Sequence, residues 1–173
     1  MAEPRVDATA SRLEQRLAPL QRLPPALRWP LVTWMVGRTV SFVGTGGVCV
    51  QALGREGVSL TLPLRRRVAN HLGSAHAAAL ALLAETAGGL AFAMHLPAPR
   101  KPVVKRMEIN YHRIAKGQLS AAARVPQDAL ARLQADASGE VVVPVDLRDE
   151  TGGDLVDCHL VYAWFTRDAA PGR

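Results

Sequence analysis

The chain has 173 residues, enough for one compact domain with an appended element, and its 49% apolar and 21% charged residues exclude wholesale disorder and a fibrous repeat. Its two cysteines, Cys49 and Cys158, stand far apart without ligand spacing, so a disulfide framework or a zinc site gains no support and a reducing cytoplasm is the expected compartment. A net charge of +6 favours anionic partners, set against the plainer reading of a solvated basic surface.

The opening MAEPRVDATASRLEQRL contains acidic residues and no apolar run, unlike a secretory signal. Residues 9 to 22 place Leu13, Leu17 and Leu20 at helical spacing, with Pro24 and Pro25 as the stop. A second helix is expected from Ala26 to about Gly37, carrying Trp29 and Trp34. Residues 1–43 thus form an N-terminal helical extension that either caps a substrate pocket or packs on a sheet, taking Trp29, Trp34 and Met35 with it. The apolar stretch Leu31 to Val50 is broken by Arg38 and by Gly44, Gly46 and Gly47, which argues against a membrane span.

From Gly46 the period falls to two. Val48, Val50 and Ala52, then Val58, Leu60, Leu62 and Leu64, predict two antiparallel strands joined at Gly54-Arg55-Glu56-Gly57. Next comes the most informative stretch, Asn70 to Met94, where a long apolar run from Ala75 to Met94, read as a helix, carries one carboxylate, Glu85, in its middle. Burying an unpaired carboxylate is expensive, so Glu85 is either chemical or held by an arginine such as Arg106 or Arg113. A helix apolar on every side predicts burial all round, and Gly88 and Gly89 allow a neighbouring backbone to come close.

Beyond it, Met107, Ile109 and Tyr111 alternate in a third strand, and Lys116-Gly117 turns into a fourth from Gln118 to Val125. A short helical insertion follows from Pro126 to Asp136. Val141, Val143, Val145 and Leu147 share one further strand face, and Val156, Cys158, Leu160, Tyr162 and Trp164 share another. The result is an α+β domain over residues 44–167, an antiparallel sheet of about six strands wrapped around a long central helix, with a frayed tail over 168–173. Basic groups cluster at Arg65 to Arg67 and around Arg100, Lys101, Lys105 and Arg106. Aromatic residues are only 5% and are not interleaved with them, which disfavours single-stranded nucleic acid relative to a nucleotide phosphate.

Asn70, His76 and Glu85 follow the pattern Asn-x5-His-x8-Glu across the start of the long helix. With the strand–strand–helix–four-strand order, this resembles the hotdog fold of acyl-coenzyme A thioesterases of the phenylacetate-pathway and 4-hydroxybenzoyl types. It is most similar to an uncharacterised hotdog subfamily reading much like NHLGSAHAAALALLAETAGG followed by VKRMEINYHRIAKG. The resemblance covers about Thr45 to Phe165.

It implies metal-free hydrolysis of an acyl-coenzyme A thioester at the interface of a homodimer or a tetramer, with no cofactor beyond the coenzyme A of the substrate and no nucleic-acid partner. By that resemblance the Ala77 N–H receives the oxyanion, Glu85 activates water or attacks the carbonyl, and Asn70 orients water or thioester. His76 fixes the helix start, Gly73 and Thr86 lie beside the substrate, and Arg100, Lys101, Lys105 and Arg106 meet its phosphates. The spacing is compatible: at about 100° and 1.5 Å per residue, Glu85 lies roughly 13 Å along the helix from His76 and on its opposite side, so the two need different subunits to share a substrate. His76-Ala77-Ala78 departs from the commoner His-Gly-Gly, and with it stands a second reading, a non-catalytic hotdog protein that binds acyl thioesters or apolar ligands.

Overall fold

The computed structural model describes residues 10–166. Residue 9 and the tail from Asp168 lie outside them. The first helix, α1 (Arg12–Leu17), starts at Ser11, whose hydroxyl accepts the Glu14 N–H at 3.0 Å. The expected continuous helix gives way to a 3-10 turn over Ala18–Arg22, because Pro19 has no N–H to continue the ladder. Helix α2 (Pro25–Thr39) opens on proline, where no donor is needed.

A further short helix, α3 (Ser41–Gly46), occupies a stretch whose glycines suggested only a break. Those glycines serve the packing of α2 against α3. A Cβ on Gly44 would lie 2.6 Å from the Gly37 carbonyl oxygen, and Gly47 ends α3 at φ +82°.

The strands are β1 (Cys49–Gly54), β2 (Gly57–Leu62), β3 (Lys101–Tyr111), β4 (Leu119–Ala123), β5 (Gly139–Arg148) and β6 (Val156–Phe165). They form one six-stranded sheet in the order β1-β2-β4-β5-β6-β3, antiparallel throughout. The β1–β2 hairpin closes with Gly54 opposite Gly57, as the sequence predicts. Alternation maps onto burial in β2 and β5, where Val58, Leu60 and Leu62, and Val141, Val143 and Leu147, face inward. In β3 it does not. This strand is one of the two edges of the sheet, and Met107 and Tyr111 stay exposed while Ile109 packs on the core. A helix over Gln127–Ala135, α5, fills the predicted insertion and buries Leu133.

Helix α4 (Ala77–His95) lies across the sheet, and Leu83, Ala87, Ala91 and Phe92 join the core formed by β2, β4, β5 and β6. By length and hydropathy it would pass for a membrane span; here it is a core helix, most of it buried. Burial all round is not observed, however. Ala81, Glu85, Gly89 and Ala93, at intervals of four, form a half-buried stripe that the sheet does not cover.

Candidate active site

Glu85 sits in a cleft of about 450 Å³ between α4, the N-terminal helices and the start of β3. Leu13, Val36, Val40, Val43 and Leu90 make most of its wall apolar, while Arg12, Arg16, Arg100 and Lys101 bring positive charge to it. Neither arginine proposed as a structural partner reaches the carboxylate. Arg113 forks onto Asp149 at 2.6 and 2.9 Å, and Arg106 lies against a separate hollow beside Lys105, Arg132 and Glu140. With no ion pair or hydrogen bond to its side chain among the described residues, burial alone acts on Glu85 and raises its pKa above the ordinary carboxylate range.

Helix α4 is held at this residue by Tyr162. Its hydroxyl donates to the Glu85 carbonyl oxygen at 2.8 Å, so a side chain from β6 engages the helix backbone beside the carboxylate. Gly88 makes the approach possible, since a Cβ there would lie 2.7 Å from the Tyr162 oxygen. The close neighbour that the two glycines admit is therefore a side chain, not the backbone expected. The Tyr162 ring stacks on Phe92 with centroids 5.4 Å apart, and burial drives its hydroxyl pKa well above the usual tyrosine range.

The other residues of the motif shape the start of α4. Asn70 is occupied with its own loop: its Oδ1 accepts from the Leu72 and Ser74 N–H groups at 2.9 and 3.2 Å, and its Nδ2 donates to Ser74 Oγ at 2.8 Å and the Ala75 carbonyl at 3.5 Å. All four bonding positions of that amide are taken. Gly73 turns the loop at φ +75°. His76 caps the helix, its Nδ1 accepting the Ala78 N–H at 3.1 Å and its carbonyl accepting from Ala79 and Leu80. Ala77 is left with the one first-turn N–H that has no acceptor among the described residues, and it is exposed.

Within one chain these residues form two separate groups. Glu85, Thr86, Arg100 and Lys101 meet in the cleft, while Asn70, Gly73, His76 and Ala77 gather at the far end of α4. Of the basic residues, Arg100 donates to the carbonyls of Leu133 and Gln134 at the end of α5, and Lys105 pairs with Glu140. Thr86 likewise gives its proton to the Leu82 carbonyl at 2.6 Å. Sequence reasoning missed Arg12, Leu13 and Arg16 as cleft residues, although the period of α1 placed them on adjoining faces of one helix. It missed Tyr162 as well, for which the Gly88-Gly89 pair was the only signal.

A six-stranded antiparallel sheet wrapped around one apolar helix, with the polar motif at that helix's start and middle, defines a hotdog-fold domain. The chain belongs to the family described as a domain of unknown function, DUF4442, which matches residues 29–164. A Pseudomonas aeruginosa structure described as a protein of unknown function and probable thioesterase shares 28% identity at a TM-score of 0.71, over 83% of this chain and 96% of its own. A Haemophilus influenzae thioesterase is 21% identical at 0.64, over 78% and 88%. A conserved Pseudomonas aeruginosa protein is 25% identical at 0.55, over 72% and 91%. No curated protein matches the chain.

Proposed function

We propose that this protein hydrolyses an acyl-coenzyme A thioester at a site shared by two copies of the chain. The observation that carries this reading is that the edge strand β3 touches both groups. At its start, Lys101 and Pro102 line the Glu85 cleft; at its end, the Tyr111 hydroxyl donates to the Ala77 carbonyl at 3.0 Å. A two-fold antiparallel pairing of β3 with β3 of a second copy sets the start of one strand against the end of the other. Glu85 of each subunit then approaches the open helix start of its partner. The strand is suited to this pairing, being eleven residues long and uncovered, with Val103, Val104 and Met107 exposed.

In that arrangement the free N–H of Ala77 receives the charge that develops on the thioester oxygen, while Glu85 takes a proton from the attacking water and returns it to the coenzyme A thiolate that leaves as the C–S bond breaks. Asn70 and His76 act by holding the loop and helix start in place. The Ala77-Ala78 pair is compatible with this role, since no residue other than glycine needs a positive φ in the described chain. The thioesterase likeness of the structural relatives supports the reaction class.

Thiol release from a panel of acyl-coenzyme A substrates tests the reading. Glu85→Gln is expected to lower it by about 10²- to 10⁴-fold with substrate binding retained. Undiminished release by that variant overturns the assigned role; binding without release by the wild type replaces hydrolysis with the carrier or sensor reading.

A further inference from the structure

Resting on the thioester reading, we infer that the cleft beside Glu85 is an acyl-chain site walled by the N-terminal helices and selective for unsubstituted hydrocarbon chains of medium length. Its volume of about 450 Å³ falls among small-molecule sites. Its floor is a stripe of α4. Glu85, Gly89, Ala93 and Leu96 follow one another at intervals of four, four and three, a run of roughly 16 Å that leads from the carboxylate away from the helix start. An extended chain advances about 1.2 Å per bond, so the floor accommodates up to about twelve carbons beyond the carbonyl.

The chemistry of the wall decides against ring hydroxyls and keto groups. The two hydroxyls that line the cleft have both donated to their own helices, Thr39 to the Met35 carbonyl at 2.9 Å and Thr86 to the Leu82 carbonyl at 2.6 Å. A polar substituent on the far part of the chain gives up its water against Gly89, Leu90, Ala93 and Leu96, which offer no side-chain partner. Of the cationic residues that line the cleft, Arg12, Arg16 and Lys101 are exposed, placed for an anionic carrier that stays outside while the chain enters. The wall is also fixed before any ligand arrives. Glu14 of α1 forks onto Arg55 of the β1–β2 turn at 2.7 and 2.9 Å, and Ser11 bridges to Pro97 beyond α4.

S-alkyl coenzyme A thioethers from butyl to hexadecyl, titrated calorimetrically against the full chain, test this without requiring turnover. The dissociation constant is expected to fall about fourfold per methylene up to a chain of about eight to twelve carbons and then level off. Ala93→Leu on the floor and Val40→Phe on the wall should each move the plateau to shorter chains, and an ω-hydroxyoctyl thioether should bind at least tenfold more weakly than octyl. Affinity independent of chain length, or a plateau that neither variant moves, overturns the assignment. Chain-length-dependent binding without thiol release from the matching thioesters retains the acyl site and removes the hydrolytic reading; the opposite pair of results does the reverse.

Discussion

Glu85 is costly to the fold in its working form. Because burial raises its pKa, the native state holds the proton more tightly than the unfolded chain, and ionisation at neutral pH opposes folding. That penalty is present above the raised pKa and disappears once pH falls below the unfolded value of about 4.3. Glu85→Gln should therefore raise the melting temperature at pH 7 while abolishing activity, and the gain should vanish near pH 4; an unchanged or lowered melting temperature at pH 7 contradicts this account. Activity that needs the carboxylate should rise with pH through the same raised pKa. Tyr162→Phe keeps the ring on Phe92 but removes the tie from β6 to the Glu85 carbonyl, which retains its bond from the Gly89 N–H within α4. The expected loss is about 0.5–1.5 kcal/mol by urea denaturation, with kcat falling more than KM rises if helix position controls Glu85.

At the scale of elements, the start of α4 permits a clean removal of one donor. Ala77 is the first helical residue, where proline is well tolerated, and His76 before it is already extended at φ −67°, ψ 141°. Ala77→Pro should keep the fold by circular dichroism and lower kcat by about 10²- to 10³-fold; full activity removes the oxyanion role. The loop before β4 depends on a different anchor. Asp149 has a fully buried side chain that accepts from Arg113, the Lys116 N–H and both donors of Thr151, and the guanidinium fork foremost holds its pKa far below the carboxylate range. Its contribution is complete above the unfolded pKa of about 3.9 and is lost as pH falls below it. Asp149→Asn should cost about 2–4 kcal/mol at neutral pH and progressively less in acid, read from urea midpoints.

For the whole molecule, the shared site makes a prediction that a single-chain site does not. Glu85→Gln and Ala77→Pro are each inactive, but in a mixed dimer one site carries both lesions and the other neither. Random mixing should restore roughly one quarter of wild-type activity, since half the dimers are mixed and one of their two sites is intact. No restoration on co-refolding, with mixed dimers verified by mass, rejects the two-subunit site.

What the sequence by itself determined is whatever follows from local periodicity and punctuation. The β1–β2 hairpin, the inward faces of β2 and β5, the extent of α4 and the isolation of Glu85 are all written in residues close together in the chain, because the pleat, the helical turn and the glycine turns act over a few residues. Only the tertiary structure decided the rest. Glu85 lies on the one stripe that the sheet leaves open, Arg113 goes to Asp149 rather than to it, and α1 to α3 close a cleft above it. Each depends on residues far apart in sequence meeting across the sheet and its cover. The alternation in β3 likewise failed to foretell burial, because a strand's place at the sheet edge is set by the order in which all six strands pair.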